Sequence, residues 1–325
     1  MDLLLTPKLV LPSIYGVFAV VVYTAVAHVI YKHPNKFQQA FYELFLVGYV
    51  MNMICYFNSY FTMRIPQHVK PNGTFYDFYA SLNANKTDTF PLSVFHMLHF
   101  EFAYTQYIFN GLICANRWTA IRYSYKDEKY WSNYLWLIVT AMFVVPFLLF
   151  TRQLFFGRSF FTWNPINSAF YIDSTYGRAK IYRCLTPFLV IVTILNTAMN
   201  WATWRKINDM KKKDKNVHIQ GSSLFYISFA GFCIEAFLAC LTVFLFFITN
   251  FNESIITWIL FKIVAFLVPF SSDALTLTQP LLVLYYSKST REAFFNQFPF
   301  LQRFKKPVVI AQSEIEEVIV DTRNL

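Results

Sequence analysis

Seven stretches of this chain are each apolar enough, over about 20 residues or more, to cross ~30 Å of hydrocarbon as a helix. They run over about 9–31, 38–61, 92–118, 134–154, 181–204, 224–249 and 256–286. In hydrocarbon every backbone N–H and C=O must find its partner within the protein, so single spanning segments of this kind are helices. The expected fold is an all-α membrane protein. A seven-transmembrane helix bundle occupies residues 1–298, and a cytoplasmic tail follows over 299–325.

Composition supports the same solvent. Of the 325 residues 56% are hydrophobic and only 14% charged, and there are 38 Phe and 21 Tyr. A soluble domain carries about 25% charged residues. The net charge of +10 would suggest nucleic acid in a soluble protein. Here it follows from the positive-inside rule, and no nucleic-acid partner is expected.

Two independent signals fix one orientation. The sequons Asn72-Gly73-Thr74, Asn85-Lys86-Thr87 and Asn252-Glu253-Ser254 lie in three polar gaps. With the N-terminus outside, all three gaps are outside. The inner loops, the tail and Arg117 then hold about twice the Lys and Arg of the outer segments. The densest basic cluster is the inner loop from Arg205 through Lys211, Lys212 and Lys213 to Lys215. The first stretch is too long for a signal h-region and reads as a signal anchor. After the last span, 287–297 can form a short interfacial helix carrying Lys288 and Arg291, with Phe294, Phe295 and later Phe298 apolar, and Pro299 stops it. Its partner is membrane lipid. The five cysteines, Cys55, Cys114, Cys184, Cys233 and Cys240, all fall in or beside apolar stretches and read as buried free thiols.

Charges inside a span cost about 2.5 to 3.5 kcal/mol at its centre and therefore need a partner or a purpose. The candidates are Glu43, Glu101, Glu235, Lys262 and Asp273, with His96 and His99 beside them. On the third span, at about 100° per residue, His99, Gln106 and Asn110 share one stripe with Arg117, and His96 lies within about 60° of it. Glu101 points roughly the other way. A polar stripe faces the bundle interior. Its outer half, His96 and His99, lines a cavity open to the outside or satisfies neighbouring helices. Its inner end, Arg117, faces the cytoplasmic side. Glu235 and Asp273 lie at similar depth on the sixth and seventh spans, where they could share a proton or a cation. Lys262 either pairs with Glu101 or reaches an acidic ligand. His96 and His99 at i and i+3 are one weak ligand pair with no third member, so no metal, cofactor or enzymatic activity is expected.

Asn116-Arg117-Trp118 closes the third span, Thr119-Ala120-Ile121 follows, and the stretch from Phe45 to Arg64 reads FLVGYVMNMICYFNSYFTMR. With seven spans, this pattern resembles the nematode serpentine receptors of class gamma over roughly residues 38–295. The resemblance implies a chemosensory G-protein-coupled receptor in the plasma membrane of sensory neurons. Its partners would be a small extracellular molecule and a heterotrimeric G protein. Arg117 corresponds by position to the arginine ending the third helix of rhodopsin-like receptors. Asn116 replaces the usual acid before it, no cysteine stands at the outer end of the third span, and Gln279-Pro280 with Tyr285 and Tyr286 is a loose echo of an Asn-Pro-x-x-Tyr motif. The implied ligand site is His96, His99, Gln106 and Lys262, under a second outer loop bearing Phe160, Phe161 and Trp163. The implied coupling site is Asn116 and Arg117 with Lys211, Lys212 and Lys213. A channel or transporter is the alternative, but the spans lack repeated Gly and Pro breaks.

Glycans are expected only at Asn72, Asn85 and Asn252, in some combination. Single Asn→Gln changes, read as glycosidase-sensitive mobility shifts, identify which. A C-terminal epitope detected outside intact cells overturns the topology.

Overall fold

The structure is a computed structural model and describes residues 7–37, 40–71, 73–83, 90–123, 126–165, 168–213, 222–250 and 255–304. In chain order its elements are α1 (Pro7–Lys32), α2 (Ala40–Ser59), α3 (Tyr76–Ser81), α4 (Phe90–Tyr123), α5 (Lys126–Pro146), α6 (Arg152–Phe156), β1 (Ser159–Asn164), β2 (Ala169–Ser174), α7 (Arg178–Lys213), α8 (Ser222–Asn250), α9 (Ile255–Leu277), α10 (Gln279–Tyr286) and α11 (Lys288–Gln297). Among them are the seven spans of a membrane bundle. Five are apolar and long enough outright: Leu9–Lys32, Ala40–His68, Tyr130–Phe156, Ala179–Lys212 and Ser223–Phe247. A sixth is the bent pair α9 and α10, which meet at 49°. Pro280 causes that bend in part, since it has no N–H to return to the carbonyl four residues back.

The remaining span, α4, is 34 residues long, about 50 Å at the helical rise. It is not apolar enough to pass as a span outright, and the other helices surround it. It packs against α2, α5, α6, α7 and α8, so its polar side chains meet protein rather than lipid. At the other extreme is α8. Only 11% of its apolar window is buried within the protein, against 50% for the second span.

The three largest apolar clusters among the described residues lie two within the bundle and one above it. The inner one joins α1, α2, α4, α5, α10 and α11 around Tyr23, Leu44, Met51, Phe109 and Leu135. The outer one lies between α4, α6, α7 and α8, where Tyr104 stacks on Phe150 with centroids 4.6 Å apart. The third sits above the bundle. There β1 and β2 pair antiparallel, with Phe161 opposite Ile172, and close over α3. This hairpin departs from the all-α expectation. Alternation in Phe160-Phe161-Thr162-Trp163 puts Phe161 inward against Val69, Tyr79 and Leu92, while its backbone N–H donates to the Leu82 carbonyl at 2.8 Å. The two outer loops therefore form one small core of their own. Burial there pushes the Tyr79 phenol pKa above its ordinary value.

No cysteine is needed to anchor the hairpin. Ser93 donates to the Gly157 carbonyl at 2.7 Å and accepts from the Ser159 N–H at 3.1 Å, and His96 Nδ1 lies 2.9 Å from the Ser159 hydroxyl. All five cysteines are free, but Cys114 alone is buried; Cys55 is half-buried, and Cys184, Cys233 and Cys240 are exposed rather than in the core. At the inner end α11 forms as expected. The Ser287 side chain caps it by accepting from the Thr290 N–H at 3.3 Å, and Thr290, Ala293 and Phe294 are buried beneath it.

Two glycines separate packing from propensity. A Cβ at Gly48 would sit 2.4 Å from the ring tip of buried Phe109, where α2 and α4 approach most closely, whereas one at Gly231 meets nothing within 4 Å. Gly48→Ala is expected to destabilise the purified protein by about 1–3 kcal/mol, read as a lower melting temperature. Gly231→Ala is expected to leave melting unchanged or raise it.

Candidate functional site

The polar groups of the bundle interior are gathered into separate networks, each bridging different helices. The central one is an amide relay. Gln106 on α4 donates to Asn52 Oδ1 on α2 at 3.0 Å and to Thr276 Oγ1 on α9 at 3.1 Å. Asn52 donates in turn to the Tyr23 hydroxyl at 3.2 Å, and Tyr23 donates to Gln279 Oε1 at 2.8 Å. Every donor points the same way along the chain of bonds, from the third span to the second, the first and the seventh. All five side chains are buried. Thr276 and Gln279 flank the 49° break at Thr278, so the relay grips both halves of the seventh span.

A second network lies nearer the outside. Asp273 on α9 forms an ion pair with Arg64 and accepts a hydrogen bond from the Tyr15 hydroxyl. The Arg64 guanidinium lies over the rings of Tyr60, at 4.8 Å, and Tyr56, at 5.5 Å. The sequence placed Arg64 in the first outer loop. Instead the second span runs on past Ser59 through a π-helical turn, Tyr60–Arg64, that carries the arginine back into the bundle. The expected Glu235–Asp273 partnership is therefore wrong. Asp273 faces the first and second spans, while Glu235 faces the third and fifth.

Glu235 is fully buried on α8 and accepts from Asn196 Nδ2 of α7 at 2.9 Å. Tyr107 of α4 donates to the Glu235 backbone carbonyl at 3.3 Å, and Asn110 lies against the same carboxyl. Glu101, on the far side of α4 from the stripe, accepts from the Thr151 hydroxyl at 2.5 Å. That hydroxyl is presented by another π-helical turn, Phe147–Thr151, which follows Pro146.

The sequence candidates thus part company. Gln106 is the hub of the relay. His96 is turned up into the hairpin clasp and 1% exposed. His99, half-buried against the Phe100 ring, keeps the same face of α4 as Gln106. The Lys262 side chain lies outside the described residues, as do Asn72, Asn85 and Asn252. At the inner end Arg117 is 5% exposed rather than open to the cytoplasm. It folds onto the Phe41 ring at 5.1 Å, and its Nε donates to Asn116 Oδ1 at 3.0 Å. Asn116 thus accepts from the arginine where an acid would. Beside them a narrow crevice lies between α2, α4, α8 and α10, lined by Phe41, Phe45, Ile113, Ile227 and Gln279. Lys211 and Lys212 are not in a loop. They are exposed on the last turn of α7, which runs 36 residues and projects beyond the bundle; the Lys213 side chain lies outside the described residues. Tyr15, Asn52, Tyr23 and Arg64 were missed by sequence reasoning. They are ordinary polar or aromatic residues in apolar runs, and only the fold brings them together.

A seven-helix membrane bundle with a buried relay across a broken seventh span, an arginine at the inner mouth of its third span and a lid of outer loops defines a serpentine receptor. The chain matches the Srg family chemoreceptor over residues 9–294 and belongs to that family. It is 22% identical to serpentine receptor class gamma-31 of Caenorhabditis elegans over 295 residues, 91% of this chain and 93% of that protein. It is likewise 22% identical to serpentine receptor class gamma-9 of the same organism, over 87% of this chain and 80% of the relative.

Asn52→Leu leaves a donor on Gln106 and an acceptor on Tyr23 without partners in a dry interior. The expected loss is about 1–3 kcal/mol, measured as a lower melting temperature in detergent or nanodiscs. Thr24→Val, at an exposed hydroxyl contact with Tyr49, is expected to leave melting unchanged.

Proposed function

We propose that this chemoreceptor is a G-protein-coupled receptor of the plasma membrane, in sensory neurons, with its N-terminus outside and its C-terminus inside. A small extracellular molecule binds in the outer half of the bundle, and a heterotrimeric G protein docks at the inner mouth. The observation that carries this reading is the amide relay. It joins four spans at the depth where the seventh span breaks, with the outer ion pair above it and the Arg117 crevice below. A ligand shifts a receptor only through a difference in its affinity for two arrangements. Packed, hydrogen-bonded helices supply such discrete arrangements.

His99, with Gln106 beneath it, His96 at the hairpin clasp and Lys262 on the seventh span mark the wall of the proposed ligand cavity. On the inner side, a G-protein tail entering the crevice would draw Arg117 off Phe41. Its planar, permanently charged fork then serves carbonyls or carboxylates of the partner. Lys211, Lys212 and Lys213 at the projecting end of α7 supply positive charge for an acidic surface and for lipid headgroups.

A panel of small molecules applied to cells expressing the chain, with a second-messenger readout, tests the reading. Arg117→Ala is expected to reach the cell surface at the normal level yet lose at least about 90% of the response, the tenfold or greater loss that follows when a central charged contact is removed. An unchanged response at matched surface level removes Arg117 from coupling.

A further inference from the structure

The ion pair on the outer side has a second meaning. Asp273 sits within α9, with helix above and below it, and its side chain is 7% exposed. The Tyr15 hydroxyl donates to one of its oxygens, and Tyr56 and Tyr60 present ring faces to the guanidinium paired with it. Tyr56 and Tyr60 are braced by a 3.0 Å contact between their hydroxyls, and Tyr60 donates onward to Ser13 at 3.2 Å. A fixed carboxylate with aromatic faces around it is the chemistry that binds ammonium groups. Here Arg64 supplies the cation from the protein itself.

The two members of the pair are not equally fixed. Arg64 is the last residue of a π-helical turn at the outer end of its span, and its side chain is the more exposed, at 12%. π-helical turns are locally irregular pieces of helix that recur at functional sites. A long cationic side chain at a helix end can reach the interface while its stem stays in the bundle. The guanidinium cannot shed its charge, so when displaced it needs water or phosphate, and the outer face supplies both. Asp273 has no such exit. An anionic ligand aimed at Arg64 would instead be brought against the Asp273 carboxylate, which stays in place and repels it.

We propose that Asp273, Tyr15, Tyr56 and Tyr60 form a binding site for a small organic ammonium ion arriving from the outside, and that Arg64 occupies it as a tethered stand-in until that ligand displaces it. This names a ligand class for the receptor reading and rests on it for its physiological meaning, while the binding itself does not.

The test uses the purified full chain in nanodiscs and reads thermal stability against ligand concentration, without any G protein. The probes are phenethylammonium, its neutral analogue 2-phenylethanol and its anionic analogue phenylacetate. Arg64→Ala empties the cage, so phenethylammonium is expected to stabilise that variant in a saturable way. Its half-saturating concentration should be lower than for the unaltered chain by about tenfold, the scale of one cation–π contact. Asp273→Asn is expected to abolish the effect, and the neutral and anionic analogues to have none. If Arg64→Ala does not fold, Arg64→Lys keeps the charge but loses the planar fork and ring stacking, and should bind the probe more tightly than the unaltered chain. The proposal is overturned if 2-phenylethanol or phenylacetate works equally well, if the shift survives Asp273→Asn, or if the variants bind no better than the unaltered chain. Ammonium binding without any cellular response would instead remove the receptor reading and leave the site standing. Signalling that is indifferent to Asp273 would leave the receptor reading standing and remove this site's part in it.

Discussion

The side-chain amide of Gln106 ties together the helices on one side of the bundle. It spends its two donors on α2 and α9, and through Asn52 and Tyr23 it reaches the first span and the far side of the break in the seventh. In a bilayer, apolar surface gives helices little reason to prefer one another over lipid, so association rests on close packing and interhelical hydrogen bonds. The relay supplies the second and the close approach of Gly48 to Phe109 the first. The relay also has a direction: each donor meets an acceptor, and reversing the amide of Gln106 or Asn52 would set two like groups against each other. A single arrangement of four spans is therefore specified by a handful of side chains.

The other polar pairs do the same work elsewhere, and they divide the bundle rather than duplicate the relay. Glu235 with Asn196 and Tyr107 joins the sixth span to the fifth and third. Glu101 with Thr151 joins the third to the fourth. Asp273 with Arg64 and Tyr15 joins the seventh to the second and first. Glu101, Glu235 and Asp273 have different sets of neighbours, which keeps like charges apart. α8, the least buried span, is held by few such ties, and the inner crevice opens along its flank at Ile227 and Ser228.

Span number, the terminal interfacial helix and the interior placing of the third span's polar stripe could all be read from the sequence. They depend on sums over many residues: apolar length, helical periodicity, the bias of positive charge. Gln106 was legible for the same reason, as a member of a stripe. The partners were not. Which acid meets which base depends on rotations of separate helices, and a rotation of one residue turns a side chain by about 100°. Asp273 and Glu235 share a depth but face away from each other. Arg64 was lost because the sequence reading ended this span at Phe61 and counted the residues from Thr62 as loop, whereas a π-helical turn lets the span continue through Arg64. The hairpin was lost because Phe160 to Trp163 is short and aromatic, and its inward face is filled by another loop, a pairing that sequence spacing cannot announce. His96 looked like a cavity residue by its angle on α4, yet the hairpin descends to meet it at Ser159.

The placing of three residues on the seventh span gives these networks a common axis. Asp273, Thr276 and Gln279 follow at intervals of three, so each lies one turn below the last, until the break separates Thr276 from Gln279. The outermost holds the ion pair, the middle one meets Gln106, and the innermost both closes the relay through Tyr23 and lines the crevice beside Arg117. One helix thus touches the outer charge, the central amides and the inner mouth in succession. Its weakest point lies between the second and the third contact, where Pro280 leaves the backbone short of a hydrogen bond. Interfaces of packed helices shift between discrete arrangements rather than bending smoothly. A helix with a ready-made joint, held above the joint by a charge pair and across it by a directional relay, has the parts for such a shift set in single file along one span.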